Sequence, residues 1–563
     1  MFSSTARKSG IVYLACASSL AIGMTIASAQ AQSLKPAITC DALAKLELPN
    51  VTITAAQAYA DGEFKIPRAG GMGGPGGPGA PGGPGATGAP GAQNVANRPA
   101  GQAGPGGPAG QAGPGGPGGP GGQQTAPSIP AFCRVSMDLK PTSDSDIKTE
   151  VWLPLNGWNG KFVGVANFGT GGSLQYANMV PQLIAGYALA ANDTGHQGGN
   201  GSFAIGHPEK LIDYAYRADH EMTVVAKQVV TKFFGKPASR SIWVGCSLGG
   251  VEALIEAKRY PADYDGIVAG APPNPFPLFN AMQFWGAWLN LNHPEGNIPG
   301  SKVAMIHQAA LNACATPVGL AQGFIEDPEH CNFKPESLLC KNGDAADCLT
   351  APQVERLKQL YQGPTDPRTG KVIFPGPAFG AENELGITQT KPIQPPLDLY
   401  QSFVYQDLNW DWKTFDYAAS VDKAKKVLDS LISVDSDLSG FLNRGGKLML
   451  YVGWTEGHNA NDLAQYYKDV VKHTAPSKAN NVRLFLNPGM NHCGNGMGCD
   501  TFEKVSVVDN WIETGKAPDQ ILSSKVQAGK TIRTRPLCAY PAVAKYKGAG
   551  SMDEASSFSC VKP

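Results

Sequence analysis

Ser241-Ile242-Trp243-Val244-Gly245-Cys246-Ser247-Leu248-Gly249-Gly250-Val251-Glu252-Ala253-Leu254-Ile255-Glu256-Ala257 is the stretch that decides the fold. Its first four residues have the apolar, β-branched and aromatic character of a buried strand. Val251–Arg259 reads as a helix. Between them, Gly245-Cys246-Ser247-Leu248-Gly249 fits G-x-S-x-G, the sharp strand-to-helix turn that lifts a serine hydroxyl clear of a sheet. Glycines two residues to either side let strand and helix approach while the serine holds a strained backbone. The short string is common, and the strand–turn–helix setting is what makes Ser247 a candidate nucleophile.

A serine hydroxyl is a weak nucleophile and needs a base, itself oriented by an acid. On this type of turn the chain order is serine, acid, histidine. Pro488-Gly489-Met490-Asn491-His492-Cys493-Gly494 follows a candidate strand at Val482–Leu486 and makes His492 the expected base. The preceding strand, Leu448–Val452, leads into Gly453-Trp454-Thr455-Glu456-Gly457-His458, so Glu456 is the expected acid, with Asp462 as the alternative. One cysteine, Cys246, precedes the serine directly and another, Cys493, follows the histidine directly. Bonded to each other, they would clamp the two loops that must meet.

Outward from the turn, further candidate strands are Glu150–Leu153, Phe162–Val165, Tyr187–Ala190 and Gly266–Ala269, with helical stretches such as Arg217–Phe233 between them. Strands alternating with helices predict an α/β protein built on a mostly parallel sheet, and the G-x-S-x-G turn seated in it makes the α/β-hydrolase fold the expectation. The alternation lapses after Pro272 and resumes near Val427. The lapse contains four cysteines, many prolines and a dense aromatic group, which predicts a lid domain over 273–427. The catalytic domain then comprises 30–272 and 428–563.

Glycine (69) and proline (45) are abundant only because 69–122 is low in complexity, with glycine at every third position over much of it. Each periodic block is too short for a stable collagen-like helix, and a flexible solvated insert is expected. Residues 1–29 carry Arg7 and Lys8, an apolar run over 11–26 and a small-residue Ala27-Ser28-Ala29, the order of a cleavable signal peptide rather than an anchor. Secretion, or delivery to a periplasm, follows, with no membrane partner once the leader is removed. Formal net charge is +0, so nothing points to nucleic acid. The cysteines beyond the leader include no C-x-x-C pair, and disulfides are expected rather than a metal centre or other cofactor.

Taken together, Gly245-Cys246-Ser247, His492-Cys493 and the acid loop between them resemble the tannase and feruloyl esterase family of α/β-hydrolases. Supporting stretches are Pro130–Val135, Trp152–Phe162, Asp193-Thr194-Gly195-His196 and Arg535–Pro541. The resemblance implies the Cys246–Cys493 bridge and the pairs Cys40–Cys133, Cys314–Cys331, Cys340–Cys348 and Cys538–Cys560, leaving Cys499 over. It implies an oxyanion hole from the Leu248 N–H and a second donor at Gly169 or Thr170, in a loop where Phe168 stands in place of a usual glycine. It also implies calcium in the lid, but the carboxylate positions here read Ala315, Val318 and Gln322, so no metal is expected.

The activity implied is hydrolysis of a small aromatic ester of the feruloyl or galloyl type through an acyl-enzyme. Trp285, Trp288, Trp410, Trp412 and Phe415 are the expected ring-binding residues of the lid. Two alternatives compete: an esterase for aromatic dicarboxylate half-esters, and a secreted binding protein on an inactive hydrolase fold.

Overall fold

The sheet that carries the site is built from strands whose burial follows their neighbours. In the computed structural model, which describes residues 35–67, 128–457 and 460–563, nine strands form one sheet. They are β1 (Val51–Tyr59), β2 (Phe132–Leu139), β3 (Ile147–Pro154), β4 (Phe162–Val165), β5 (Ala188–Asn192), β6 (Ser241–Cys246), β7 (Gly266–Gly270), β8 (Lys447–Gly453) and β9 (Val482–Asn487). Their spatial order is β1-β2-β3-β5-β4-β6-β7-β8-β9. From β5 to β9 every neighbouring pair is parallel, and from β1 to β5 every pair is antiparallel. Strands β4, β5 and β7 are buried at every position because helices cover both faces. This is the mostly parallel α/β sheet that the alternation predicted, in the α/β-hydrolase arrangement expected from the Ser247 turn. The leader at 1–29 and the glycine-rich 69–122 lie outside the described residues.

Strands β7 and β8 are adjacent and parallel, yet the chain between them runs from Ala271 to Gly446. The middle of this insertion has apolar clusters of its own: Leu289, Ile306, Leu349, Leu357 and Ile387 in one, Leu311, Ile325 and Phe333 in another. Its ends behave differently. Phe284, Tyr400, Phe403, Phe415 and Tyr417, with the helix Ala419–Ile432, join the main hydrophobic core.

The C-terminal residues form two hairpins, β10 (Gln520–Gln527) with β11 (Lys530–Cys538) and β12 (Val543–Tyr546) with β13 (Phe558–Val561). They lie against β9, where Tyr540 donates its N–H to the Leu484 carbonyl at 2.8 Å. Among the described residues no helix is long and apolar enough to cross a membrane.

Gly453, at the end of β8, shows how tightly the loops above the sheet are packed. A Cβ there would stand 2.1 Å from the Met490 carbonyl oxygen and 2.9 Å from that of Asn491. At Gly440, by contrast, the nearest atom would be 3.8 Å away. Gly453→Ala is therefore expected to lower stability by about 1–3 kcal/mol, the usual cost of overpacking. Gly440→Ala should be neutral or mildly stabilising, and paired thermal melts read the difference.

Candidate active site

Ser247 sits between β6 and the helix Leu248–Arg259 at φ 63°, ψ −123°, a conformation that side-chain-bearing residues rarely adopt. Its N–H donates to the Gly270 carbonyl at 2.9 Å, and its own carbonyl accepts from Gly250 at 2.8 Å and Val251 at 3.2 Å. The flanking glycines are sterically required. A Cβ at Gly245 would lie 2.2 Å from the Gly249 oxygen, one at Gly249 2.6 Å from the Ala166 Cβ, and one at Gly250 2.1 Å from the Gly270 oxygen. Leu248 opens the helix, so its N–H has no acceptor within that helix and is available to a ligand.

Across the cleft, His492 Nδ1 lies 2.7 Å from Glu456 Oε2. Glu456 is buried, whereas the imidazole is 30% exposed. A neutral imidazole donating from Nδ1 to the carboxylate leaves Nε2 as the basic nitrogen. Asp462, the alternative acid, lies on the helix Ala460–His473 and does not reach His492; burial pushes its carboxyl up to about 7.

The acid and histidine loops are laced together. Trp454 N–H donates to the Asn487 carbonyl at 3.0 Å, Thr455 N–H to the Met490 carbonyl at 3.1 Å, and Thr455 Oγ1 to that same carbonyl at 2.8 Å. The histidine loop is tied outward as well, through Lys525 Nζ to Gly496 O at 2.8 Å and Arg533 Nη1 to Met497 O at 3.1 Å.

Cys246 and Cys493 are bonded, with their Cα atoms 6.0 Å apart across 247 residues of chain. The bridge thus ties the turn of Ser247 to the loop of His492. The other disulfides are Cys40–Cys133, Cys314–Cys331, Cys340–Cys348 and Cys538–Cys560, the pairs that the resemblance implied. Cys499 is a buried free thiol whose pKa burial pushes up to about 11, which suppresses the thiolate needed for exchange with the bridge.

The loop after β4 turns at Phe168–Gly171, where the Gly171 N–H donates to the Phe168 carbonyl at 3.1 Å and Gly169 has φ 66°. Gly169 is exposed and Thr170 half-buried. The loop is held from below by a residue that sequence reading passed over. Glu252 of the Ser247 helix is buried and accepts the Asn167 N–H at 3.0 Å. Burial, then the charge of Asp219, raises the Glu252 carboxyl well above the usual carboxylate range. Asp193 through His196 brace the loop from the side: Gly172 N–H donates to the Asp193 carbonyl at 3.0 Å, and His196 stacks on Phe203. Burial pushes His196 down to about 4, so it is a neutral structural ring.

Of the aromatic group of the insertion, Phe415 is buried and the four tryptophans are half-buried. Phe415 is buried and stacked on Phe284, with centroids 4.5 Å apart. Trp285 and Trp288 stack on each other, and their indole N–H groups donate to the Gln359 and Phe415 carbonyls. Trp410 stacks on Tyr405, and Trp412 is half-buried against the same core. These rings pack on or into the protein's own core, which is what dense aromatic sequence also serves. Phe168, 45% exposed, stands beside His492, with ring centroids 5.8 Å apart.

The residues at the implied calcium loop do not fit a hard cation. Glu326 is turned to the Thr316 hydroxyl and N–H, and Gln322 bridges the Met552 carbonyl and Arg535 Nη2. Val318 and Ala315 offer no side-chain oxygen.

With this geometry in place, comparison with known proteins is specific. A model of the family "Tannase and feruloyl esterase" matches residues 133–561. An uncharacterised esterase of Xanthomonas campestris pv. campestris is 33% identical over 491 residues, covering 77% of this chain and 85% of that protein. A probable feruloyl esterase B-1 of Aspergillus fumigatus is 30% identical over 456 residues, covering 76% and 86%. The crystal structure of feruloyl esterase B from Aspergillus oryzae superposes with a TM-score of 0.75 at 26% identity, covering 93% of this chain and 99% of that one.

Three variants test how the site is held. The double variant Cys246→Ser, Cys493→Ser is expected to lose about 2–4 kcal/mol of stability and most of its esterase turnover, and addition of reductant to the wild type should act in the same direction. Glu252→Leu leaves the buried Asn167 N–H without an acceptor, so kcat should fall about tenfold or more with KM little changed. Glu252→Gln keeps an amide oxygen at that place and should restore most of the rate.

Proposed function

The chain belongs to the tannase and feruloyl esterase family, and on that premise we propose that it hydrolyses phenolic acid esters of the feruloyl or galloyl type through an acyl-enzyme. The protein is an esterase of that family. The observation that carries the mechanism is the Glu456–His492 hydrogen bond, linked to Ser247 through the Cys246–Cys493 bridge.

Ser247 Oγ adds to the ester carbonyl while His492 Nε2 takes its proton. Glu456 fixes the imidazole in the tautomer with Nδ1 protonated and stabilises the imidazolium that results. The carbonyl oxygen, now an anion, is held by the Leu248 N–H and by a second N–H from Gly169 or Thr170. Collapse of the tetrahedral adduct expels the alcohol, which takes the proton from His492 Nε2 and leaves the acyl group on Ser247. Water then adds with the same histidine as base, and release of the acid restores the serine. Phe168 gives the phenolic ring of the acyl group an exposed aromatic face beside the base.

The setting is an oxidising one. Five disulfides among the described residues support folding outside the cytosol, in the periplasm or the medium, and the composition of residues 1–29 supports export by a cleaved leader.

Ser247→Ala should lower kcat on methyl ferulate by at least about 10⁴ and abolish labelling by a fluorophosphonate probe. Glu456→Gln should cost about 10³–10⁴, because the amide favours the wrong histidine tautomer. Asp462→Asn should remain near wild type. The reverse ranking of the two acids, or undiminished labelling of Ser247→Ala, would overturn the assignment.

A further inference from the structure

The insertion between β7 and β8 brings a second carboxylate to the triad. Residues Glu382–Glu384 form a single 3-10 turn, and its two acids are used differently. Glu382 is buried and saturated: it accepts from the Tyr361 hydroxyl at 2.7 Å and the Gly380 N–H at 2.8 Å, and pairs with His307 Nδ1 at 2.5 Å. Glu382 anchors the turn. Glu384 is solvent-exposed and, among the described residues, is taken up by no hydrogen bond or ion pair.

Glu384 nevertheless stands at the acid loop. A Cβ built on Gly457, the residue after Glu456, would lie 3.8 Å from Glu384 Oε2 and 3.9 Å from its Cβ, with Gln283 Nε2 also at 3.8 Å. The field there is mixed. Partial burial raises the Glu384 carboxyl pKa first, the Glu456 charge raises it further, and His492 opposes both. Glu384 thus lies within electrostatic reach of the acid and the base, without serving either as a hydrogen-bond partner.

We infer that Glu384 is a specificity-determining residue, one that accepts a hydrogen bond from a hydroxyl of the substrate and repels substrates carrying a free carboxylate. This rests on the proposed function and deepens it. A carboxylate accepting from a phenolic O–H makes a charge-assisted bond, stronger than a neutral one. The same charge beside an aromatic carboxylate is a like-charge contact, and the neutral amide of Gln283 next to it does nothing to relieve it. The substrate class that suits the cleft is therefore neutral and hydroxylated. Dicarboxylate half-esters, which need a cation at this place, are disfavoured by Glu384 itself.

The test compares kcat/KM for methyl ferulate, methyl 3,4-dimethoxycinnamate and monomethyl terephthalate, each divided by the same protein's value with 4-nitrophenyl acetate. Wild type should prefer ferulate to its O-methylated analogue by about tenfold, the scale of one hydrogen bond to a charged group, and should turn over the half-ester least. Glu384→Lys should bring the ferulate preference toward one and raise the half-ester value about tenfold or more. Glu384→Gln, which keeps an acceptor and loses the charge, should fall between.

Ratios unchanged in both variants overturn the role of Glu384. If wild type acts on 4-nitrophenyl acetate but on no phenolic ester, the phenolic reading fails. The charge role is then judged separately, by whether Glu384→Lys raises the half-ester against neutral methyl benzoate.

Discussion

The site is organised around a backbone conformation that only glycine adopts readily, imposed on a serine. Ser247 at φ 63° carries a strain on the order of 1–3 kcal/mol. It persists because its surroundings leave it no alternative. The N–H is committed to Gly270, the carbonyl to the first turn of its own helix, and three neighbouring glycines bring the ends of β4 and β7 into contact with the turn. The serine's place is thus set by the backbone of adjacent parallel strands, among the stiffest parts of the molecule.

His492, the proposed base, is held by a different kind of physics. His492 lies in an irregular loop with positive φ at Gly489, Cys493, Asn495 and Gly496. Such a loop has little preference for one shape, and its ordering entropy has to be offset by cross-links. They come from three directions: the bridge to Cys246, the Thr455 and Trp454 bonds from the acid loop, and Lys525 and Arg533 from the C-terminal hairpin. The disulfide is the one covalent member of this set, and it joins the loop to the strand end that carries the serine. A site assembled from a stiff half and a laced half keeps its alignment only while the lacing is intact.

Much of this was legible in the sequence, for reasons of locality. The turn around Ser247, the strand-loop positions of Glu456 and His492, and the apolar runs of β4 to β9 are each encoded in a few consecutive residues. Strand β1 was not legible, because its alternation breaks at a bulge between Ile53 and Ala55 and continues in small residues with only one half-buried face. The C-terminal hairpins were missed for a similar reason, their strands being largely exposed. Glu252 reads as an ordinary helical carboxylate, and only the fold brings it to Asn167, 85 residues earlier. The tryptophans of the insertion were not separable by sequence into ring-binding and packing residues, because a ring-binding face and a packed aromatic core share one composition. What separates them is where the indole N–H groups are spent, a tertiary fact.

Chemistry and selectivity therefore occupy structurally separate groups. Ser247, Glu456 and His492 cannot be moved without disturbing the elbow, the bridge or the loops laced to it. Phe168 and Glu384 project from turns whose backbones are secured by other residues, Gly171 and Asn167 in one case and Glu382 in the other. Each side chain is exposed, and no hydrogen bond to another described residue holds either one. A replacement at either place alters the wall that a substrate meets while leaving the reacting atoms where they are. On the proposed reading, that division leaves the acyl preference to two side chains at the rim, which can change without moving the ester-hydrolysing centre.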